Sequence, residues 1–189
     1  AARQIECVED AQAPALDPAS AASVISGGTA LIKNQAACPF RALALHRLGA
    51  ESLQTPHTGL DAMERGILVH RVLAQAWGQL KTKNALDAIS DGELEAILTH
   101  AAEDAIAHIR RDRPTTLSGR FAKIEQQRLV RLAREWLITE KVRGEFTVIA
   151  TEDKRDIEIG GLALTTRLDR VDQLDDGRRI VIDYKTGAA

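Results

Sequence analysis

Aromatic residues are scarce in this chain of 189 residues, in which Phe, Trp and Tyr together make up 3%. That scarcity excludes a surface of stacked aromatic rows, the usual platform for single-stranded nucleic acid. No apolar run approaches the ~20 residues that a membrane-spanning helix needs. No charged-then-apolar leader opens the sequence either. We therefore expect neither a membrane protein nor a secreted one.

Cysteine is almost absent as well, with Cys7 and Cys38 the two in the chain. Two thiols do not make the disulfide framework of a small secreted domain, so we expect a cytoplasmic protein. The chain starts Ala-Ala rather than with Met, and it stops two residues after a strand motif that closes at Gly187. We expect it to be part of a longer protein.

Charge of one sign does not dominate, since the formal net charge is -2. The average conceals a gradient: residues 110–143 hold ten Lys or Arg against four Asp or Glu, whereas residues 144–189 hold seven against ten. A basic middle beside an acidic end is typical of a phosphate-binding surface next to a metal-binding cluster. A solvated helix face is an equally common reason for a run of charge.

The hydrophobic pattern divides the chain into an irregular start, a helical half and a strand-rich end. Residues 1–25 are rich in Ala, Pro, Asp and Ser and indicate a linker or loose arm before a domain at 26–189. Apolar spacing predicts helices at about 29–48, 61–80, 90–111 and 118–142, the first interrupted by Pro39. Trp77 and Trp136 are expected in the core.

Alternating residues then predict three strands, 146–159, 162–174 and 179–184, joined by turns at 160–161 and 175–177. The consecutive Ile180, Val181 and Ile182 indicate a central strand that is covered on both faces. The predicted class is therefore α/β (α+β), with N-terminal helices packed on a sheet.

Two acidic residues are brought together by the last predicted hairpin. A turn centred on Asp176 places Asp169 and Asp183 near each other on antiparallel strands. Carboxylates that approach repel one another unless a divalent cation lies between them, and oxygen ligands favour Mg²⁺ or Mn²⁺. Lys185 shares a strand face with Asp183, where it could stabilise charge on a phosphate. The plainer interpretation of this Asp and Lys is an exposed ion pair.

A histidine on the second predicted helix completes the candidate set. His70 follows Gly66 by four residues and lies among apolar neighbours. A lone histidine in such a place is more often a packed core residue than a metal ligand. The other histidines, His46, His57, His100 and His108, have no acidic or cysteine partner at ligand spacing.

Taken together, Gly66–His70, the Asp169 strand and the sequence Asp-Tyr-Lys-Thr-Gly at 183–187 resemble the RecB-like branch of the PD-(D/E)XK nuclease superfamily. The resemblance covers residues 23–187 and extends most closely to the C-terminal nuclease domain of AddB-type helicase–nuclease subunits. It implies a restriction-endonuclease-like core with a mixed sheet, incomplete at its C-terminus. It also implies a divalent-metal-dependent deoxyribonuclease, expected to be an exonuclease, acting in DNA repair with a helicase partner.

The same resemblance implies a role for each matching residue. Asp169, Asp183 and Lys185 would be catalytic, and His70, Asp169, Asp183 and the main-chain carbonyl of Tyr184 would bind Mg²⁺ or Mn²⁺. Glu152 stands where the family often has an acidic residue, with a role near the metal or none. Asp172 is interpreted as structural, paired with a nearby arginine.

Cys38 begins a Cys-Pro-Phe segment that is similar to the first helix of AddB-type domains. In members with a [4Fe–4S] cluster this cysteine is one of four ligands, so a cluster is expected in the full-length protein only. A buried free thiol is the favoured interpretation for the present chain. Two departures from the family are Thr166, where glycine is usual, and the lack of a later Gln-x-x-x-Tyr helix.

A basic stripe runs along the fourth predicted helix and consists of Arg120, Lys123, Arg131 and Arg134. It could contact DNA phosphates, and a merely solvated face is the alternative. Two other functions also stay open. One is a non-catalytic DNA-binding or scaffolding module of the same fold, and the other is a helical interaction domain whose Asp and Lys are ordinary ion pairs.

Overall fold

Helices come first along the chain and strands last, in a computed structural model that describes residues 27–53, 59–159 and 162–186. The helices are α1 (Thr29–Ala37), α2 (Pro39–Ala42), α3 (Ala62–Leu80), α4 (Lys83–Ala88), α5 (Asp91–Asp112) and α6 (Gly119–Glu140), with a π-helical turn at Leu43–Arg47. The strands β1 (Phe146–Ile159), β2 (Leu162–Leu174) and β3 (Arg179–Ile182) form one sheet in the order β1-β2-β3.

This architecture confirms the predicted α/β class and most of its elements. Pro39 divides the first predicted helix into α1 and α2, as expected from its missing N–H. The one-and-a-half-turn α4, which Thr82 caps at 3.1 Å, was missed because six residues carry too short an apolar period. The described sheet is antiparallel, so the parallel strand that a mixed sheet requires lies nowhere in these residues.

The chain divides into two compact units, and the division falls within β1 and β2. The first unit comprises Ala1–Ser52 and Arg155–Thr166, of which residues 1–25, the predicted linker, lie outside the described part. Within it, Asn34 Nδ2 and His46 Nε2 are 2.9 Å apart, and Gly28 is so close to the Thr165 carbonyl that a Cβ would lie 2.7 Å from it. Cys38 is a free, half-buried thiol there.

The second unit, Leu53–Lys154 with Arg167–Ala189, contains the hydrophobic core. Helices α3, α5 and α6 contact one another, and small side chains on α5 let them approach closely. Trp77 of α3 is fully buried, as predicted, and packs against Phe146 of β1 at 5.4 Å between ring centroids. The buried alanines of α5 are Ala101, Ala102 and Ala105.

Both ends of α3 are fixed by polar contacts. At its start Asp61 and Glu64 form a capping box, in which each side chain accepts a hydrogen bond from the other residue's backbone N–H. Arg113, after α5, donates to Glu64 at 2.8 Å. At the other end the Val148 N–H of β1 donates to the carbonyl of Lys81 at 2.7 Å. The last of these contacts joins the end of α3 to β1.

A charged side chain lies at the centre of this core. Arg170 of β2 has no exposed surface, and its guanidinium stacks over the rings of Trp77 and Phe146 at 4.0 and 4.9 Å. It donates two hydrogen bonds of 2.6 Å to Asp172 and two of 3.1 Å to Glu140. The predicted structural role of Asp172 is therefore confirmed.

Arg170 also reaches the end of β3, since it donates to the hydroxyl of Tyr184 at 3.2 Å. Burial raises the pKa of Tyr184 to about 12, so this phenol stays neutral at physiological pH. Burial alone would raise the pKa of Glu140, but hydrogen bonds from Arg170 and Arg143 outweigh it and lower that pKa. Glu140 thus stabilises the fold above its usual pKa and loses that contribution as the pH falls below it.

Two predictions about apolar residues are wrong. Strand β3 lies at the edge of the described sheet rather than in its centre, and Val181 is 58% exposed. Trp136 is 38% exposed rather than in the core. It lies on the flank of α6, where its Nε1 donates to Glu140 at 3.2 Å and its ring packs edge-on with Tyr184 at 5.3 Å.

Removing the buried arginine should strongly destabilise the second unit. In Arg170→Met the carboxylates of Asp172 and Glu140 lose their main partner, so the free energy of unfolding should fall by roughly 3–5 kcal/mol in urea. Arg178→Met is the matched control, because Arg178 pairs with Asp176 on an exposed turn and such pairs contribute about 0–1 kcal/mol. Equal losses in the two variants would contradict the central role of Arg170.

Candidate metal centre and active site

The β2–β3 hairpin brings the two predicted aspartates to one end. The strands pair antiparallel with Arg170 opposite Ile182 and Asp172 opposite Ile180, so the register turns about Asp176 as expected. One further step in this register sets Asp169 against Asp183. Asp169 of β2 therefore lies beside Asp183, the first residue after β3.

His70 reaches the same place from the middle of α3. Its Nε2 lies 2.9 Å from the carbonyl oxygen of Tyr184, and its Nδ1 lies 3.4 Å from Oδ1 of Asp169. The Tyr184 N–H donates to Oδ2 of Asp169 at 2.8 Å, which fixes that carboxylate and leaves Oδ1 toward the histidine. The imidazole is 26% exposed, so His70 is a partly accessible polar contact rather than an isolated core residue.

Glu152 of β1 joins this group and was not among the predicted ligands. Ligand atoms of His70, Glu152 and Asp169 all lie within 4.8 Å of one another. The backbone of Glu152 is left-handed, with φ 51°, which costs a non-glycine residue of the order of 1–3 kcal/mol. Strain of this kind aims the side chain out of the regular strand alternation, so no period-2 pattern could have revealed it.

A cavity of about 290 Å³ opens beside the cluster, lined among others by Gly66, His70 and Asp169. Arg167 also lines it and forms an ion pair of 2.9 Å with Glu152. Gly66 lets α3 approach the end of the strand segment, because a Cβ there would lie 3.0 Å from Oγ1 of Thr186. The glycine four residues before His70 is therefore the residue that allows this close approach.

Asp183 and Lys185 form an ion pair with each other on the surface, outside the cluster of His70, Glu152 and Asp169. Their side chains are 58% and 81% exposed. The hydrogen bond to Asp183 raises the pKa of Lys185, so the amine is fully protonated at neutral pH. Tyr184, between them, is buried, which fits the alternation that puts it on the face opposite Asp183 and Lys185.

Comparison with known protein families identifies the family of this chain. The family model of the PD-(D/E)XK nuclease superfamily matches residues 32–189. The chain belongs to the PD-(D/E)XK nuclease superfamily. Comparison with curated proteins finds none that matches. Membership of this superfamily agrees with the α/β fold described above.

The donor set of this PD-(D/E)XK chain fits a divalent cation. One imidazole nitrogen, two carboxylates and a backbone carbonyl converge from α3, β1, β2 and the segment after β3. Such a mixture, rich in oxygen and free of cysteine, suits Mg²⁺ or Mn²⁺ better than a structural zinc. Asp169 already has the backbone hydrogen bond that typically orients a ligating carboxylate.

The predicted basic stripe lies on α6, which contributes no residue to the cluster of His70, Glu152 and Asp169. Arg134 pairs with Glu95 of α5, and Arg131 lies 3.8 Å from Glu135. At 100° per residue, the stripe is centred roughly 180° around the helix from Trp136. Arg120 and Lys123 are exposed. Within the described ranges no helix is long and apolar enough to span a membrane.

Saturation with Mn²⁺ should raise the melting temperature if the cluster binds it. At a hundred times Kd the gain is about 2.7 kcal/mol, or roughly 5–10 °C for a chain of this size. Asp169→Asn should abolish the shift while its amide oxygen still accepts from the Tyr184 N–H. Asp104→Asn, in the exposed His100–Asp104 pair, is the matched control and should keep it. A full shift in Asp169→Asn would place the metal elsewhere.

The strained backbone at Glu152 gives a second, independent test. Glu152→Gly should be more stable than Glu152→Ala by about 1 kcal/mol, because glycine adopts positive φ without a steric penalty. Both variants should lose affinity for Mn²⁺ to the same degree, as each removes the carboxylate. Urea unfolding measures the first effect and calorimetric titration the second. An alanine variant as stable as the glycine variant would contradict the left-handed geometry.

Proposed function

We propose that this chain is a divalent-metal-dependent deoxyribonuclease that hydrolyses phosphodiester bonds. The observation that supports the proposal most is the convergence of His70, Asp169 and the Tyr184 carbonyl next to Asp183 and Lys185. Membership of the superfamily makes nuclease chemistry the expected activity.

His70, Asp169, Asp183 and the Tyr184 carbonyl would hold Mg²⁺ or Mn²⁺, with Glu152 as a further ligand. A cation bound there supplies Lewis acidity, which lowers the pKa of a bound water and neutralises charge on the phosphate. Asp169 is already oriented by the Tyr184 N–H, so its free oxygen needs no rearrangement. Asp183 would have to release Lys185 before it could serve as a ligand.

Lys185 acts in this proposal as a cation rather than as a base. The hydrogen bond to Asp183 raises the pKa of Lys185, and without that bond a lysine amine, with an ordinary pKa of about 10.4, is still protonated at physiological pH. If Asp183 served as a ligand of a bound cation, the ammonium of Lys185 would be free of its partner. It would then be available to stabilise negative charge that develops on a phosphate and to orient the attacking water.

The finer assignments rest on the resemblance alone. They are exonuclease action, a place in DNA repair beside a helicase subunit as in AddB-type proteins, and a [4Fe–4S] cluster that includes Cys38 in a longer protein. DNA phosphates would meet the described basic residues, among them Arg120 and Lys123 of the stripe. Strong salt dependence of binding would be the mark of such contacts.

One observation favours a second candidate, a non-catalytic DNA-binding or scaffolding module. Asp183 and Lys185 neutralise each other on the surface, apart from the clustered ligands. If that pair persisted when metal is bound, the site would lack both its second aspartate and its free cation. The chain would then bind metal and nucleic acid without cleaving.

Cleavage of linear and circular single-stranded DNA tests the proposal. We expect cleavage with Mn²⁺ or Mg²⁺ and none with EDTA, and an exonuclease would spare the circle. Lys185→Ala should lower kcat by roughly 100- to 1,000-fold, the usual effect of losing one charge-stabilising group. Lys141→Ala, an exposed lysine at the end of α6, is the matched control and should cleave normally.

Absence of cleavage by a chain that still binds Mn²⁺ through Asp169 would favour the second candidate. Cleavage that survives Lys185→Ala unchanged would contradict the role given to that lysine. Loss of cleavage in both lysine variants would point to misfolding, which a melting curve of each variant detects.

A further inference from the structure

A second cavity adjoins the candidate active site and is larger than the first. It is a cleft of about 590 Å³ between α3 and α6, within the range of roughly 300–1,000 Å³ that is usual for ligand pockets. Lys185 and Thr186 line one end of this α3–α6 cleft. Thr186 and Ala62 also line the cavity beside His70 and Asp169, so the two spaces are neighbours that share part of their lining.

The walls of the α3–α6 cleft are apolar, and one of them carries an aromatic ring. Val69 and Leu73 of α3 face Leu132 and Trp136 of α6 across it. The ring of Trp136 is held by its hydrogen bond to Glu140 and by its edge-on contact with Tyr184. A ring fixed in this way and 38% exposed is a preorganised surface for a flat apolar group.

The rim of the cleft carries positive charge. Arg65 and Arg128 lie along it, with Lys185 at the end. Arg65 is exposed and has no ion pair with any residue that the structure describes, whereas Arg128 is paired with the buried Glu125 and Lys185 with Asp183. The acidic residue of the lining, Glu135, has Arg131 as its neighbour. The rim is therefore suited to an anion, and Arg65 is the residue available to it.

We propose that the α3–α6 cleft binds an unpaired nucleotide of the substrate strand, with its base against Trp136 and its phosphate near Arg65. An apolar slot with a fixed ring and a cationic rim matches a nucleotide, which has a flat π-face and an anionic backbone. A base within a duplex cannot enter, since its faces are covered by neighbouring bases. Because the cleft ends at Lys185, the bound nucleotide lies next to the scissile phosphate.

This inference rests on the proposed nuclease function for its substrate but not for its test. Binding is measured in EDTA, where no cleavage occurs, by anisotropy of a fluorescein-labelled oligothymidylate and of a blunt hairpin duplex. The wild-type chain should bind the single strand more tightly than the duplex. Its tryptophan emission should also be quenched, and the quenching reports Trp136 because Trp77 is fully buried.

Trp136→Leu should weaken binding of the single strand by roughly 5- to 150-fold, the usual effect of losing one stacked base, and should abolish the quenching. Trp136→Phe should recover part of the affinity because a ring is restored. Arg65→Gln should reduce the slope of log affinity against log salt by about 0.7, the value for one phosphate contact. Arg179→Gln, an exposed arginine of β3, is the matched control and should leave affinity and slope unchanged.

Equal affinity for single strand and duplex, or unchanged binding in a Trp136→Leu variant that melts normally, would overturn the inference. Tight, Trp136-dependent binding by a chain that never cleaves would support the inference while the proposed nuclease activity failed. Metal-dependent cleavage by a chain whose binding of the single strand does not depend on Trp136 would support the nuclease activity and overturn the inference. A Trp136→Leu variant that fails to melt cooperatively leaves the decision to Arg65→Gln against Arg179→Gln.

Discussion

The buried guanidinium of Arg170 is the interaction on which the second unit depends. It lies over the rings of Trp77 and Phe146 and donates hydrogen bonds to two carboxylates, so one charge connects β2 with the end of α6 and the start of β1. Its hydrogen bond to the Tyr184 hydroxyl extends this network to the segment that carries Asp183 and Lys185. The backbone of Tyr184 then contacts both Asp169 and His70. Tyr184 therefore connects the core to the candidate site, through its hydroxyl on one side and its backbone on the other.

Sequence patterns predicted the parts of this site that depend on period and symmetry. The turn at Asp176 and the alternation of β3 were enough to pair Asp169 with Asp183 and to place Tyr184 on the face opposite Asp183 and Lys185. The Gly66–His70 spacing on an amphipathic helix placed the histidine on the same face as the glycine that approaches Thr186. These features are local, so a single sequence contains them.

The rest depends on contacts that no local pattern encodes. From the sequence, an arginine in an alternating strand is expected on the surface. In the structure Arg170 is buried against Trp77, Phe146 and Glu140. Glu152 reaches the cluster through a left-handed backbone that strand periodicity does not predict. The apolar stripe of α6 does not show whether Trp136 is packed against α3 or lines a cleft between the two helices. Tertiary packing decided each of these cases.

The central claim is that His70, Asp169 and the Tyr184 carbonyl form a metal centre that Asp183 joins on leaving Lys185. Anomalous diffraction from crystals of the chain grown with Mn²⁺ tests it most directly, because the signal locates the ion and the map shows the side chains. We predict a peak in contact with those three donors, with Glu152 and with Asp183. A peak elsewhere, or an Asp183 that remains paired with Lys185 beside a bound ion, would contradict it.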